Sequence, residues 1–276
     1  GRFLGSMIEG AMLSEYTTFR IGGPADLLAF PKGMGDLGRL LQAIADTGCR
    51  WMAMGNGSNL LFSDRGYRGV IVVLGRGLNR IKKNSKDEVY VEAGCSVHRF
   101  LSWVEEAGLG GLEDLGGIPG TIGGAVRMNA GAMGTSIGDR VEELCVMGTS
   151  GGEVRYGLYG RDEIGFGYRS TRIGDDEIIY IVKLELYKMD RRDIRERKER
   201  VLGWRRRNQP LEYPSAGSVF KNPPGISAGE VIDRCGLKGA RVGMAQVSEK
   251  HANFIVNLGG ATAGDVVSLI GRVKKE

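Results

Sequence analysis

The sequence predicts an α+β protein built from three consecutive lobes. Short segments rich in β-branched and aromatic residues are separated by glycine, a pattern typical of strands. Residues 35–47 and 97–107 instead repeat apolar side chains at the spacing of a helix. A strongly basic segment then interrupts this alternation and indicates a domain boundary. The expected lobes are 7–70, 71–188 and 208–276, with a linking helix at 189–207 between the last two.

The elements are expected in a regular order along the chain. Strands are predicted at 26–31, 50–55, 69–75, 88–94, 141–148 and 176–189. After the basic segment we expect a strand in GSVFKN, a helix near 227–235, a strand in ANFIVNLG and a closing helix from about residue 263. The opening GRFLGS, residues 1–6, is interpreted as the remnant of an expression tag and is left out of the expected fold.

The composition argues against several classes of protein. Hydrophobic residues make up 42% of the chain, enough for a large core, yet no run of them approaches the roughly 20 residues of a membrane-spanning helix. The four cysteines are widely spaced, with no CxxC pair and no histidine cluster, which argues against a metal site and a disulfide framework. We therefore expect no metal, no membrane contact and a reducing, cytoplasmic location.

The net charge of +5 is concentrated in residues 188–207, which hold ten basic and four acidic side chains. Asp190 is placed to cap a helix there, and Ile194, Val201 and Trp204 would form a sparse apolar stripe. No aromatic–basic interleaving or nucleic-acid motif accompanies these charges. A solvated helix that links two domains is the favoured interpretation, and a helix that follows a nucleic-acid backbone is the alternative.

Glycine accounts for 46 of the 276 residues, and two glycine-rich turns stand out. MGNGSNLLFSD (54–64) directly follows a predicted strand, and backbone N–H groups in such a turn form a concavity suited to a pyrophosphate. Its spacing is neither that of a Rossmann turn nor that of a P-loop, and alone it is more often a structural loop. The second turn, GGIPGTIGGAVRMNAGA (116–132), holds six glycines. Two such turns on one chain favour a dinucleotide lying between them.

Six motifs occur in an order that resembles one protein family. They are TTFRIGGPADLL, GNGSNLLFSD, GLEDLGGIPGTIGGAVRMNAGA, FGYRSTR, PSAGSVFKNP and AQVSEKHANFIVN, and together they extend over most of the chain. In these motifs the sequence is similar to the shorter form of the UDP-N-acetylenolpyruvoylglucosamine reductase (MurB) family. The resemblance implies a two-lobed FAD-binding fold of the vanillyl-alcohol oxidase and p-cresol methylhydroxylase type. It also implies a C-terminal α+β domain that binds the substrate.

The same resemblance implies that two backbone segments hold noncovalent FAD, with glycines keeping side chains out of its path. The matching positions are Gly55, Asn56, Gly57, Ser58, Asn59, Leu60, Gly117, Ile118, Pro119, Gly120, Thr121, Gly123, Gly124, Ala125, Asn129, Ala130 and Gly131. Of these, Asn129, Ala130 and Gly131 would lie near the flavin.

The family reaction, as the resemblance implies it, needs a fixed cation. Hydride from NADPH passes through the flavin to the vinyl carbon C3 of the substrate. Atom C2 then has carbanion character, and its charge must spread onto the neighbouring carboxylate. A planar guanidinium suits a carboxylate better than an ammonium does, and Arg169 in FGYRSTR matches the arginine of the family. Arg172 is a rival that the resemblance does not support.

The reaction also needs an acid, and Ser218 in SAGSVFKNP matches the family's proton donor to C2. A serine hydroxyl is a weak acid, so it must act on a strongly basic intermediate. No GxSxG motif or neighbouring triad base supports a hydrolase instead. Lys221 and Asn222 resemble positions that hold the sugar-nucleotide diphosphate. Weaker substrate-side candidates are Tyr168, Gln246, His251 and Asn253, of which His251 is as readily a hydrogen-bonded structural histidine.

Two features depart from the family pattern. Thr171 stands where the family often has serine, a change that keeps a hydroxyl. The family also has a glutamate in a short segment after its last helix. Glu276 still lies within the helical pattern of LIGRVKKE and is not assigned that role. We expect full activity to require the glutamate segment.

The favoured function is NADPH-dependent reduction of UDP-N-acetylenolpyruvoylglucosamine to UDP-N-acetylmuramate in peptidoglycan precursor synthesis. The enzyme is expected to be a cytoplasmic monomer that binds neither nucleic acid nor membrane. Two alternatives remain open. One is an oxidase of the same fold with covalent FAD, for which His98 in GCSVHRF would be the tether. The other is a non-catalytic protein that binds a nucleotide or a nucleic acid.

Overall fold

The computed structural model describes residues 2–85 and 88–276, and these form two compact units. The first unit holds the chain up to Glu9 together with Leu27–Asn56 and Gly69–Leu202. The second holds Gly10–Asp26, Gly57–Arg68 and Gly203–Glu276. Both units are discontinuous in sequence, whereas the expected lobes were consecutive segments.

Strands and helices are numbered in chain order. They are β1 Ser6–Glu9, β2 Ala25–Phe30, α1 Met34–Thr47, β3 Trp51–Met54, β4 Tyr67–Val73, β5 Ile81–Lys83, β6 Val89–Glu92, α2 Val97–Ala107, β7 Leu109–Gly110, α3 Ile122–Arg127, β8 Gly131–Ala132, β9 Thr135–Ser136, β10 Val141–Ser150, β11 Glu153–Gly160, α4 Arg161–Ile164, β12 Glu177–Leu184, β13 Tyr187–Lys188, α5 Arg191–Asn208, β14 Ser215–Ser218, α6 Ala228–Arg234, β15 Arg241–Val242, β16 Ala245–Val247, β17 Phe254–Asn257 and α7 Ala263–Lys275.

Two larger sheets organise the first unit. A four-stranded sheet has the order β1–β2–β4–β3, with β1 antiparallel to β2 and β3 parallel to β4. A five-stranded antiparallel sheet has the order β11–β10–β12–β6–β5. Helix α1 packs on β10 and β11, and α3 packs on β12 and β6. The apolar faces of these elements bury Leu37, Phe100, Ile122 and Leu144 completely, so α3 is anchored in the core at its first residue.

Residues near the N-terminus take part in the first unit. The strand β1 begins at Ser6, and the N–H of Leu4 donates to the carboxylate of Asp36 in α1 over 2.8 Å. Leu4 and Ser6 both belong to the segment interpreted as a tag remnant, whose first residue, Gly1, lies outside the described part of the chain.

The second unit is built on an antiparallel sheet of order β14–β17–β16–β15, with α7 packed on β15 and β16. Its core explains why the unit is discontinuous. Phe19 and Ile21, from an early loop, are each 2% exposed and pack in the same cluster as Ile255 and Leu269. A division of the chain into consecutive segments would separate Phe19 and Ile21 from the C-terminal residues that bury them.

The basic segment forms the predicted helix, α5, and the division between the units falls within it. Asp190 caps it by accepting a hydrogen bond from the N–H of Arg192 over 2.8 Å. Ile194 and Val201 are buried as expected, but Trp204 is 38% exposed, so its assignment to the apolar stripe was wrong. Trp204 lies ten residues after Ile194, which is about 2.8 helical turns, so it falls beside the buried face. The buried Arg205 lies eleven residues after Ile194, about three turns, and falls on that face.

Among the described residues we find neither a membrane-spanning helix nor a metal-binding cluster. None of their helices combines the length and apolar content needed to cross a membrane. Their histidines, cysteines and carboxylates also form no group of three or more that could hold a metal ion.

Candidate functional site

The first glycine-rich turn begins where β3 ends. A Cβ on Gly55 would overlap the side chain of Thr121, and one on Gly75 would stand 2.9 Å from Oδ1 of Asn56. In the second unit, Gly57 has φ 62° and its backbone lies against Tyr16, leaving no room for a side chain. The glycines of this turn therefore permit close packing of protein backbone as well as an unusual chain direction.

Residues 116–131 are part helix rather than a continuous turn. Thr121 caps α3, because its Oγ1 accepts a hydrogen bond from the N–H of Gly124 over 3.3 Å. Gly123 packs directly on Ala93, which follows β6: its N–H donates to the Ala93 carbonyl over 2.8 Å, and an added Cβ would stand 2.6 Å from the Ala93 Cβ. Gly124 is exposed instead, and a Cβ added there would meet only Oγ1 of Thr121, at 3.4 Å. The two adjacent glycines thus have different surroundings.

Several backbone donors in these segments are available for a ligand. Gly117 and Gly120 have φ values of 76° and 120°. Within the described chain, their N–H groups donate to no acceptor, and the same holds for the N–H of Asn56. Polypeptide N–H groups in such turns are the kind of donor that binds a pyrophosphate. The donor set of the first unit therefore fits an anionic cofactor.

Arg169 lies at the tip of a short hairpin that the sequence did not reveal. Gly167 and Ser170 pair through two backbone hydrogen bonds of 3.0 and 3.3 Å, and Arg169 between them has φ 54°. Its Nη1 donates to the carbonyl of Asn129 over 3.2 Å and its Nη2 to that of Gly131 over 2.9 Å. The guanidinium is thus fixed beside the segment that was predicted to lie near the flavin.

The neighbours of Arg169 have distinct positions. Tyr168 is 54% exposed, and its ring lies 5.4 Å from the guanidinium carbon of Arg169. Thr171, in the family's serine position, donates its hydroxyl to the carbonyl of Arg127 over 3.2 Å. Arg172, the rival arginine, is exposed, and its side chain lies over the backbone of Gly165. It is directed to a different segment from Arg169.

In the second unit, Ser218 ends strand β14 and is exposed. The pairing of β14 with β17 is irregular between Ser215 and Ser218, and Gly217 in this irregularity has φ 79°. Such a bulge re-aims the side chain that follows it. Asn253 then fixes the next residues: its carboxamide exchanges two hydrogen bonds, of 2.8 and 2.9 Å, with the backbone of Phe220. Asn253 is only 3% exposed.

Lys221 and Asn222 follow on the surface. Lys221 is exposed and forms no ion pair with any described residue, so its charge is available to an anion. Asn222 accepts a hydrogen bond from the N–H of Ala228 over 3.0 Å, which ties this loop to the first turn of α6.

Gln246 and His251 already have partners within the second unit. The amide of Gln246 donates to the carbonyl of Gly239 over 3.2 Å. Nδ1 of His251 accepts from the N–H of Asn253 over 3.3 Å, its ring lies 4.9 Å from that of Phe254, and burial lowers its pKa. These contacts support the structural interpretation of His251 that the sequence left open.

Two family models match the chain. Residues 25–157 match a model described as an FAD binding domain. Residues 209–276 match the C-terminal domain of UDP-N-acetylenolpyruvoylglucosamine reductase.

Curated relatives match along almost the whole chain. The UDP-N-acetylenolpyruvoylglucosamine reductase of Heliobacterium modesticaldum is 44% identical over 274 residues, which cover 99% of this chain and 86% of that protein. The enzyme of the same name from Geobacter sulfurreducens is 43% identical over 270 residues, with 98% and 88% covered.

Solved structures agree with these matches. UDP-N-acetylenolpyruvylglucosamine reductase from Thermus caldophilus superposes with a TM-score of 0.85 at 38% identity, covering 99% of this chain and 95% of that one. A cholesterol oxidase from Brevibacterium sterolicum has a TM-score of 0.53 at 16% identity over 68% of this chain and 39% of its own, which shows a shared fold alone. The predicted fold is confirmed by both. The chain belongs to the UDP-N-acetylenolpyruvoylglucosamine reductase family.

Proposed function

We propose that this protein reduces the enolpyruvyl group of UDP-N-acetylenolpyruvoylglucosamine to give UDP-N-acetylmuramate for peptidoglycan synthesis. The observation that carries the proposal is the similarity to reductases of this name along the whole chain, at 44% identity and at a TM-score of 0.85. The family uses noncovalent FAD and NADPH. When bound, FAD relays hydride from NADPH to the substrate.

The residues of the first unit suit this cofactor. The free N–H groups of Gly117, Gly120 and Asn56 are donors for its pyrophosphate. The close packing of Gly55 on Thr121 and of Gly123 on Ala93 keeps the two segments rigid. Rigid donors need little reorganisation when the cofactor binds, which favours affinity.

Arg169 is the proposed cation for the substrate carboxylate. A guanidinium has five N–H donors, and Arg169 uses two of them on the carbonyls of Asn129 and Gly131. It forms no ion pair with any described residue. Its remaining donors and its full charge are therefore available to stabilise the negative charge that develops on the substrate carboxylate as C2 gains electron density.

Ser218 is the proposed proton donor to C2, and Lys221 the proposed contact for the sugar-nucleotide diphosphate. Both side chains are exposed within the second unit, and the backbone between them is fixed by Asn253. Asn222, Gln246 and His251 support the loops around them through the hydrogen bonds described above. We propose that Tyr168 contributes to substrate binding beside Arg169, because its exposed ring lies against the guanidinium.

Covalent attachment of FAD to His98 would describe a different enzyme of the same fold. His98 is exposed in the first turn of α2. Acid precipitation of the native protein should release yellow FAD into the supernatant. Colour that stays in the washed pellet would support the covalent oxidase.

We propose that the enzyme acts as a cytoplasmic monomer that binds neither nucleic acid nor membrane. Its four cysteines are free thiols, which suits a reducing compartment. Part of the charge on α5 is also locally paired, since Arg192, Arg195 and Lys198 contact carboxylates.

The two half-reactions test the function directly. NADPH should bleach the visible flavin band of the purified protein, and addition of the enolpyruvyl sugar nucleotide under anaerobic conditions should restore it. The product should gain the mass of two hydrogen atoms. Because full activity is expected to require the glutamate segment of the family, the test uses a protein that carries this segment. Such a protein that NADPH reduces but that this substrate does not reoxidise would contradict the proposal.

A further inference from the structure

Asn129 connects three segments of the first unit. Its side-chain Nδ2 donates to the carbonyl of Gly167 over 2.9 Å, and its Oδ1 accepts from the N–H of Gly138 over 3.1 Å. Its own carbonyl accepts from Nη1 of Arg169 over 3.2 Å. Asn129, in the segment that follows α3, is therefore bonded to Gly138, to the start of the hairpin and to the guanidinium at the hairpin tip.

The arrangement includes two residues in an uncommon backbone conformation. Asn129 has φ 40° and Arg169 has φ 54°, both in the left-handed region that side chains other than glycine rarely adopt. Such conformations persist where surrounding contacts determine them, and they concentrate at functional sites. The Asn129 amide and the two bonds from Arg169 hold the hairpin to the preceding segment, together with the bond from the Thr171 hydroxyl to the carbonyl of Arg127.

We propose that Asn129 is a positioning residue for Arg169. Its carboxamide holds Gly167, at the base of the hairpin, so that the guanidinium is directed at the carbonyls of Asn129 and Gly131 and presents its other donors in one orientation. This role rests on the proposed function, because it matters only if Arg169 stabilises a carboxylate during reduction. A misplacement of about 1 Å at such a group costs roughly 100-fold in rate.

The substitution Asn129→Gly removes the carboxamide while keeping the carbonyl, and glycine adopts φ 40° without strain. Reoxidation of the reduced enzyme by the enolpyruvyl sugar nucleotide should slow by roughly 10–100-fold. Flavin reduction by NADPH involves no substrate carboxylate, so it should slow clearly less than reoxidation does, and any slowing there reflects the expected place of Asn129 near the flavin. Met133→Gly is the matched control, since Met133 is an exposed residue with φ 52° that forms no hydrogen bond with Arg169 or Gly167 in the described structure. It should change neither rate.

A double-mutant cycle separates positioning from general damage. If Asn129 acts through Arg169, then Asn129→Gly should slow reoxidation by less than about 2-fold in an Arg169→Ala background, because coupled residues are not additive. The same 10–100-fold loss in both backgrounds would overturn the proposal. So would equal slowing of both half-reactions in Asn129→Gly alone.

A crystal structure of Asn129→Gly gives a result that does not depend on the substrate. The Arg169 guanidinium should leave the carbonyls of Asn129 and Gly131. A guanidinium that keeps both bonds would overturn the positioning role, even in an active enzyme. Failure of the unsubstituted protein, carrying the glutamate segment, to react with the sugar nucleotide would instead count against the proposed function, so the two outcomes remain separate.

Discussion

Ser218 owes its exposure to the irregular end of strand β14. The left-handed Gly217 lies in an irregular stretch of the pairing with β17, which resumes at Ser218 opposite Phe254, and Asn253 then holds Val219 and Phe220. A bulge re-aims the side chain that follows it, and the backbone is held at Ser218 by β17 and at Phe220 by Asn253. This geometry suits a group that must deliver a proton to one atom.

Ser218→Ala should therefore affect one half-reaction only. Reduction by NADPH creates no carbanion and should be nearly unchanged, whereas reoxidation by the enolpyruvyl substrate should slow by roughly 10²–10⁴-fold, the usual contribution of a positioned general acid. Stopped-flow absorbance in the visible flavin band measures both steps. Ser215→Ala, on the same strand, is the matched control. Unchanged reoxidation in Ser218→Ala would remove this serine as the acid.

At the scale of elements, α5 is fastened to α2 by one buried carboxylate. Glu105, 9% exposed, accepts hydrogen bonds from Lys198 and from Arg195, the latter over 2.8 Å. The bond from Lys198 and that from Arg195 lower the pKa of Glu105, although burial opposes them. A carboxyl whose pKa is lower in the folded state stabilises the fold above its unfolded pKa of about 4.3, and this contribution is lost as the pH falls through the folded pKa.

Glu105→Gln should lower the free energy of unfolding by about 1–3 kcal/mol at neutral pH, because it weakens two charge-assisted hydrogen bonds. The difference from the wild type should shrink as the pH falls below about 4, where the wild-type carboxyl itself takes up a proton. Denaturant unfolding at a series of pH values measures this. Glu106→Gln, at the adjacent position of α2, is the control. A difference independent of pH would mean that Glu105 stabilises the helix pair by packing alone.

At the scale of the whole molecule, local patterns predicted elements better than their assembly. Apolar periodicity located α1, α2 and the strands near 51–54 and 69–73, because each pattern depends on neighbours in sequence. The same rules missed α3, since glycines at 123 and 124 disfavour a helix that Thr121 and the core nonetheless stabilise. Motifs predicted Arg169 and Ser218 as site residues, but the contacts that position them are long-range: Arg169 bonds Asn129 and Gly131, and the bulge before Ser218 lies in the pairing of β14 with β17.

The division into two discontinuous units also depends on contacts that local sequence patterns do not predict. Asn257, 3% exposed, donates to the carbonyl of Phe19 over 3.0 Å and accepts from the N–H groups of Gly259 and Ala261. Asp64 accepts from the N–H groups of Ala263 and Gly264, at the start of α7. The bond from Asn257 to Phe19 joins residues 238 positions apart in sequence, and that from Ala263 to Asp64 joins residues 199 positions apart. Sequence patterns relate residues that lie only a few positions apart. The expected division into consecutive segments therefore did not include these long-range contacts.

Because of these contacts, we expect residues 10–26 to unfold together with the C-terminal sheet. Asn257→Ala leaves one buried carbonyl and two N–H groups without partners, and should lower the free energy of unfolding by about 3 kcal/mol. Hydrogen exchange should accelerate in Asn257→Ala at the amides of Leu13 and Ser14, which bond Gly23 and Gly22, and also in β16 and β17. Amides of β10 and β12 should keep their protection. If Leu13 and Ser14 stayed protected while β16 and β17 exchanged faster, residues 10–26 would not belong to the same cooperative unit.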